Sequence, residues 1–532
     1  MEPDAKQLAG KGKWLALAAA LLGWMFDGLE MGLFPLVARP ALGELLGRAD
    51  DEAIGRWFAV ATAGFLMGAA TGGVLFGWLG DRIGRVRAMS LSVLTYAVFS
   101  GMCGVADAPW QIAVLRFVSA LGMGGEWSLG VALVMEIWPN RSRALLAGLI
   151  GAAANVGYLL IALLGVGLGL VLDRMHGWLG ALGLPQSWVE SLVAHSGWRL
   201  LMLLGAAPAF LTFFIRLFVP ESERWLHEKN RGATSNWAAR DLLGVLVGAL
   251  GGGAIIYLWA TDANWVVRAI GYVLGLAILT SGYLYPIRRF LQRSASAALD
   301  SAEGSLSTIR RMLLGACLSG VALLGTWASL QWAPNWADQL SERRALTPAV
   351  AASVGLAQSN SLASAAVWSS PQLIQKDTSA KAYTQIWASL GAILSTVLAA
   401  LLGDWLGRRL SYSVLCVGSL ASTLAFFQLN DRFGPAFLAM VFLAGGFTAS
   451  FYGWVPLYLP ELFRTRVRAT GQGFSYNFGR ILAAIGVLQT GSLMGLFHGG
   501  YPQACSVMSL IYVVGLVIIW FAPETRGKPL PE

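Results

Sequence analysis

The chain has 532 residues, 56% hydrophobic and only 13% charged, with 38 Lys and Arg against 29 Asp and Glu. A soluble chain of this length carries about 25% charged residues, so a soluble globular fold is excluded and a polytopic all-α membrane protein is expected. The formal charge of +9 calls for no nucleic-acid partner, because basic residues collect in loops that stay in the cytoplasm.

A membrane span needs about 20 mainly apolar residues. Residues 1–13 carry Lys6, Lys11 and Lys13 ahead of an apolar run. No small-residue cleavage site follows, so the run reads as a retained first span behind a cytoplasmic N-terminus, not a signal peptide. Spans 1 to 6 are expected near 14–38, 55–79, 86–106, 109–136, 143–172 and 197–219, giving a six-helix bundle over 14–219. A cytoplasmic linker at 220–309 holds two extra spans, near 241–260 and 265–286. Spans 7 to 12 follow near 310–333, 381–402, 409–429, 433–459, 466–495 and 502–521, a second bundle over 310–521. Residues 522–532 form a cytoplasmic C-terminus. The stretch AVAASVGLAQSNSLASAAVWSS (349–370) is small and polar, more like a surface helix than a span.

Threading these fourteen spans puts the loops DRIGRVR, PNRSRA, PESERWLHEKNRG, GRR, FRTRVR and ETRGK on one side, with most of the lysines and arginines. That is the asymmetry of a cytoplasmic face. The loops also repeat. GWLGDRIGRVR (77–87) is echoed by ALLGDWLGRRL (400–410), with Asp81 matched by Asp404 and Arg85 by Arg408. EIWPNRSRA (136–144) is echoed by ELFRTRVRA (461–469), with Glu136 matched by Glu461, Arg141 by Arg466 and Arg143 by Arg468. PESER (220–224) and PETRG (523–527) follow in the same order. Two parallel halves with a site between them are a transporter layout.

These residues resemble the major facilitator superfamily, whose G-x-x-x-D-x-x-G-R pattern is carried by Gly77, Asp81, Gly84 and Arg85. The LRFVSALGMGGEW stretch (115–127) matches that superfamily's R-x-x-x-G-x-G pattern loosely, with Ala120 at the first glycine, and PESERWL is similar to a sugar-porter motif. A narrower resemblance is to the sialate and monocarboxylate proton symporters, through DGLE, GMGGEW, GDWLGRR and GQGFSYNFG and the extra central pair. A neighbouring one is to aromatic-acid proton symporters, through the acidic pair of span 1 and Gly479–Arg480. The resemblance implies alternating access, proton-driven uptake of a small organic anion, and a gate at the cytoplasmic ends of spans 2 and 8. Gly77, Asp81, Gly84, Arg85, Asp404, Arg408, Glu136, Arg143, Glu461 and Arg468 would form that gate. Neutral sugar or polyol transport is the alternative that PESERWL suggests.

A charge at the bilayer centre costs at least ~2.5 kcal/mol, so ionisable residues inside spans are functional candidates. They are Asp27, Glu30, Arg116, Glu126 and Arg480, and all four histidines fall in loops. A carried proton must then ride on a carboxylate. Glu30 lies ~12 Å and Arg116 ~10 Å below the same face by helical rise, hence level with each other. Asp27 lies one turn deeper on the same face. Asp27 and Glu30 are expected to be a proton-coupling pair with Arg116 holding the ionised state, or else a permanent ion pair. Glu126 follows Gly124 and Gly125 and is either a second proton site or a packing contact. Arg480 suits a substrate carboxylate, held in bidentate fashion, or a carboxylate of the other half.

Trp327, Gln331 and Asn335 recur at i, i+4, i+8 and are expected to line a solute cavity, while Trp332 and Trp336 belong to an interfacial belt. Asn155, Tyr158, Tyr452, Trp454, Tyr476 and Asn477 are weaker candidates. The four cysteines fall in separate apolar segments without metal-ligand spacing, so they read as small buried apolar residues. No cofactor, metal or catalytic motif is expected. The expected partners are a small solute, protons and lipid, for a monomer in the cell membrane.

Overall fold

The computed structural model describes residues 3–47, 51–138, 143–219, 221, 223–230, 238–261, 264–296, 302–341, 379–464, 467–497 and 500–531, and among them every regular element is helical. The first half comprises α1 (Pro3–Leu46), α2 (Asp51–Ile83), α3 (Arg85–Met102), α4 (Pro109–Ile137), α5 (Arg143–Ala181), α6 (Gln186–Leu204) and α7 (Ala209–Phe218). A short α8 (Glu223–Asn230) leads to the extra pair, α9 (Leu242–Ala260) and α10 (Trp265–Ser296). The second half holds α11 (Ala302–Trp327), then α12 over 333–341. After it come α13 (Ala380–Leu406), α14 (Arg408–Leu429), α15 (Pro435–Ala449), α16 (Phe451–Tyr458), α17 (Arg468–Leu496), α18 (Tyr501–Ser509) and α19 (Ile511–Ile518).

Thirteen helical segments among the described residues are long and apolar enough to cross a membrane. The sixth expected span is the exception. It is split into α6 and α7 by a turn at 205–208, which ends at Pro208, a residue with no N–H to continue the helical ladder. α6 also starts earlier than expected and bends where His195, Ser196 and Gly197 take positive φ. The 349–370 segment lies outside the described residues.

Small residues set the packing inside each half. A Cβ on Gly72 of α2 would sit 1.9 Å from the Leu121 carbonyl of α4, and one on Gly124 of α4 would sit 1.9 Å from the Ala69 carbonyl. The two backbones therefore touch, as dispersion-driven packing in lipid favours. The halves meet along α2–α17 and α5–α13. The extra pair lies on α2, where the buried Thr71 and Tyr283 hydroxyls bond to each other.

The repeated loops have one physical basis. Gly84 (φ +114°) and Gly407 (φ +91°) sit just before α3 and α14, in backbone conformations that cost a side chain about 1–2 kcal/mol. Each turn presents the free N–H groups of a helix start to a carboxylate. The Arg85 amide donates to Glu221 at 2.8 Å. The Arg408 and Arg409 amides donate to Glu524 at 3.0 and 3.1 Å. The acids of PESER and PETRG are thus anion caps for the two motif helices.

Burial works against ionisation of Glu524, but N–H groups of Arg408, Arg409, Arg526 and Thr525 outweigh it and hold its carboxyl below the usual range. A depressed folded pKa gives stability that is complete above the unfolded value of about 4.3 and is lost as pH falls through the folded value. Glu524→Gln should therefore lower the thermal unfolding temperature in detergent at pH 7, with the deficit shrinking below about pH 4. A deficit constant across that range would contradict the capping role.

Candidate functional site

A cavity of about 1090 Å³ lies between the halves. Eight of the sequence candidates line it: Asp27, Asn155, Tyr158, Trp327, Gln331, Tyr452, Tyr476 and Arg480. The sequence reading missed Trp24, Trp127, Thr326, Thr384, Gln385, Ser389 and Thr448, which also face it. Gln385 and Ser389 stand one turn apart on the apolar α13, and that polar pair is the signal that would have found them.

Arg480 is placed by its neighbour. Gly479 presses α17 onto the α11 backbone, where a Cβ would meet Gly320 N at 2.7 Å. This fixes the rotation of α17 and turns Arg480 into the cavity. The guanidinium is 3% exposed, lies over the Tyr476 ring at 5.1 Å, and its Nη1 has no hydrogen-bond partner. Tyr476 in turn stacks on Trp127 at 3.8 Å with ring planes 11° apart. One face of the cavity is thus a flat aromatic wall beside a guanidinium with an unused donor.

Glu30 meets Arg116, as their matching depth predicts, whereas Asp27 does not share that arginine. Arg116 Nη1 is 3.2 Å from Glu30 Oε1, the Ser100 hydroxyl donates to Glu30 Oε2, and the guanidinium lies 4.4 Å from the ring centroids of Phe34 and Phe65. This closed ion pair borders a smaller neighbouring cavity of about 360 Å³ and does not line the main one. Asp27 faces Glu126 and Arg480 instead. Three residues turn a helix about 300°, and the 60° shortfall plus one turn of depth aim Asp27 at α17. Glu126 packs against α1 at Gly23, where a Cβ would lie 1.6 Å from its Oε1. Arg116, a candidate substrate residue by sequence, lines the smaller cavity and not the main one.

Four other expectations are corrected. The i, i+4, i+8 stripe breaks because α11 ends at Trp327 and a 3-10 turn over Leu330–Trp332 follows. That turn changes the angular register, so Asn335 does not reach the cavity lining. Asn477 donates instead to the Gly124 and Gly473 carbonyls and packs against Gly73, joining the two halves. Trp332 and Trp336 are 6% and 2% exposed, not interfacial; Trp336 packs among Phe426, Phe427 and Phe437. Trp454 is fully buried against Tyr412 and Tyr458.

The motif end is closed by bonds between the halves. Buried Asp81 of α2 accepts from Arg85 at the start of α3 and from the amide and hydroxyl of Thr470 on α17. Glu461 accepts a fork from Arg408 at 3.0 and 2.7 Å and lies 3.5 Å from Arg143 of the first half. Arg143 and Arg468 further donate to carbonyls of the C-terminal residues Lys528 and Pro531. Gly77 lies against Thr470. Asp404 does not mirror Asp81: its side chain is 62% exposed and reaches only Arg408, at 3.6 Å. The Glu136 side chain lies outside the described residues. At the opposite end, the Gln331 amide donates to the Tyr158 hydroxyl at 3.0 Å and that of Gln385 to the Tyr158 carbonyl at 3.1 Å.

The sugar (and other) transporter family matches residues 47–245 and 307–532. The chain belongs to that family. The stretch between the matched parts holds nearly all of the extra pair α9–α10, so this sugar-transporter-family member carries it as an insertion. A cis,cis-muconate transport protein of Acinetobacter baylyi is 24% identical over 515 residues, 95% of each chain. A sialic acid transporter of Escherichia coli is 27% identical over 214 residues, 40% of this chain and 45% of its own. A major facilitator superfamily proton:xylose symporter superposes with a TM-score of 0.64 at 17% identity, covering 97% of both chains. The fold is that of the major facilitator superfamily, and the protein is a multi-pass membrane transporter.

The motif-end network gives a direct test. Asp81→Asn removes the charge that holds Arg85 and Thr470, a loss of about 1–3 kcal/mol per bond. A cysteine at Ser128, between cavity and gate in a chain otherwise free of cysteine, should then react with a water-soluble maleimide at least about fivefold faster. An unchanged labelling rate would contradict a gate at Asp81.

Proposed function

We propose that the protein is a secondary active symporter that carries a small organic anion into the cell with protons by alternating access. The observation that supports this most is Arg480, a buried cavity-lining guanidinium whose Nη1 donor is unused. Leaving a buried charged donor unsatisfied costs about 1–3 kcal/mol or more, which a carboxylate of the substrate would recover as a charge-assisted bond. The basic loops put the motif end, and with it both termini, in the cytoplasm of a cell whose inner membrane holds the chain.

The resting electrostatics supply the coupling. Arg480 is the cation that acts on Asp27, so an anion binding Arg480 competes with Asp27 for it. Deprived of its counter-charge, Asp27 takes up a proton, and the loaded site crosses without excess charge. Released substrate returns Arg480 to Asp27, which expels the proton. The motif-end bonds of Asp81 and Glu461 and the far-end bonds of Tyr158 would break alternately to admit water from either side.

The substrate reading is a monocarboxylate, sialic acid among the candidates from the resemblance of DGLE and GQGFSYNFG. The stacked pair of Trp127 and Tyr476, with Trp24 and Trp327 on the same cavity lining, favours a planar unsaturated or aromatic acid as the second reading. The muconate transport protein among the relatives is in keeping with that reading. A neutral sugar or polyol is less favoured, since it offers the unused Nη1 donor of Arg480 no charged acceptor.

Proteoliposomes with an imposed pH gradient distinguish these substrates. Uptake of one of sialic acid, nicotinate or lactate, stimulated by external acid, is expected, with xylose inert. Stimulation by xylose alone would overturn the anion reading. Arg480→Lys keeps the charge but loses the planar fork, and should weaken binding of the transported anion about 10- to 100-fold. Unchanged affinity would remove Arg480 from the binding site.

A further inference from the structure

Glu126 has both carboxyl oxygens buried and without hydrogen-bond partners. The same holds for Asp27 Oδ1 and for the hydroxyl of Tyr96, a side chain that is 0% exposed. These atoms belong to one place. Glu126 seats against Gly23, one helical turn before Asp27 on α1, and Tyr96 reaches the same carboxyl from α3. Four buried polar atoms from three helices thus converge on one place.

The charges facing this point can be enumerated among the described residues. From α1 come Asp27 and, farther off, Glu30; from α4, Glu126; from α3, Tyr96; from α17, Arg480 and Tyr476. Glu30 is neutralised by Arg116. What remains is two carboxylates against one guanidinium, a surplus of one negative charge among buried groups. Two adjoining carboxyls in such a place cannot both ionise, and one of them holds a proton.

We propose that Asp27, Glu126 and the Tyr96 hydroxyl form the coupling-proton site, holding one proton at rest between the two carboxyls, while Glu30 and Arg116 are a permanent ion pair. The assignment rests on the proton-coupled reading above for its purpose, though not for its chemistry. The proton bonds to one carboxyl oxygen and is accepted by the other acid, and Tyr96 donates to the carboxyl that stays ionised. Glu126 supplies the surplus charge: without it, Asp27 and Arg480 would balance and no proton would be held. A bound substrate anion restores the surplus and calls in a second proton.

Infrared titration of the purified full-length chain in lipid, reading the carbonyl stretch of protonated carboxylic acids per molecule, tests this without any substrate. At pH 7 the wild type should show one protonated buried carboxyl. Glu126→Gln should abolish it, Arg480→Gln should raise it to two, and Tyr96→Phe should keep one with its midpoint moved by about one pH unit, tenfold in proton affinity. Loss of the band in Glu30→Gln with retention in Glu126→Gln would overturn the proposal. So would loss of the wild-type band when potassium is exchanged for sodium, which would make this a metal-cation site. The transport reading fails separately. A wild-type band that obeys these substitutions, in a protein whose nicotinate, sialic acid and lactate uptake ignores an imposed pH gradient, would leave the proton site standing and remove symport.

Discussion

Three carboxylates and two guanidiniums, all buried, set the terms for the rest of the molecule. Glu30 and Arg116 satisfy each other, with Ser100 and two aromatic rings completing the enclosure. Asp27, Glu126 and Arg480 cannot balance by themselves. In a medium where unpaired charge costs several kcal/mol, such an imbalance persists only where something mobile completes it. On the proposed symport reading, protons and a substrate anion are those mobile species, and Arg480 is the group on which both act. The central site is best described as a charge balance that one ion alone cannot close.

The scaffold converts that local balance into a choice between two global states. Arg480 belongs to the second half, and Asp27 and Glu126 to the first. Binding therefore draws on groups that the halves hold in common, as an anion bridging them must. The motif-end bonds also cross between halves, Thr470 to Asp81 and Arg143 to Glu461, and so do the far-end bonds of Tyr158. Neither set can persist when its own end opens. Glycine-lined contacts such as Gly72 of α2 against α4 keep each half rigid, so that motion is concentrated at the interface between them.

The fold was largely legible because lipid imposes a simple rule, that long apolar runs be helical. The Asp81, Arg85 and Glu221 motif and its echo at Arg408 and Glu524 marked the two halves, because each needs a positive-φ glycine and a carboxylate cap. The sixth span was misjudged because hydropathy does not register a break at Pro208. The site was legible where chemistry was extreme. Asp27, Glu126 and Arg480 stand out in any apolar segment. Their pairing was not legible, since a 60° rotation on α1 separates Asp27 from Glu30 and only packing reveals it. Gln385, Ser389 and Thr448 were missed because short polar side chains are common in spans. Asn335 was misplaced by a 3-10 turn that ordinary helical spacing does not anticipate.

The most direct measurement of this account is the number of protons bound when the anion binds. Purified wild-type protein, weakly buffered at pH 7 with a pH-sensitive dye, would be titrated with whichever of nicotinate, sialic acid and lactate it binds. Uptake of one proton per anion bound is predicted, because the anion replaces Asp27 on Arg480 and the displaced charge must be neutralised. Binding of the anion with no proton uptake, at any pH between about 5 and 8, would contradict it.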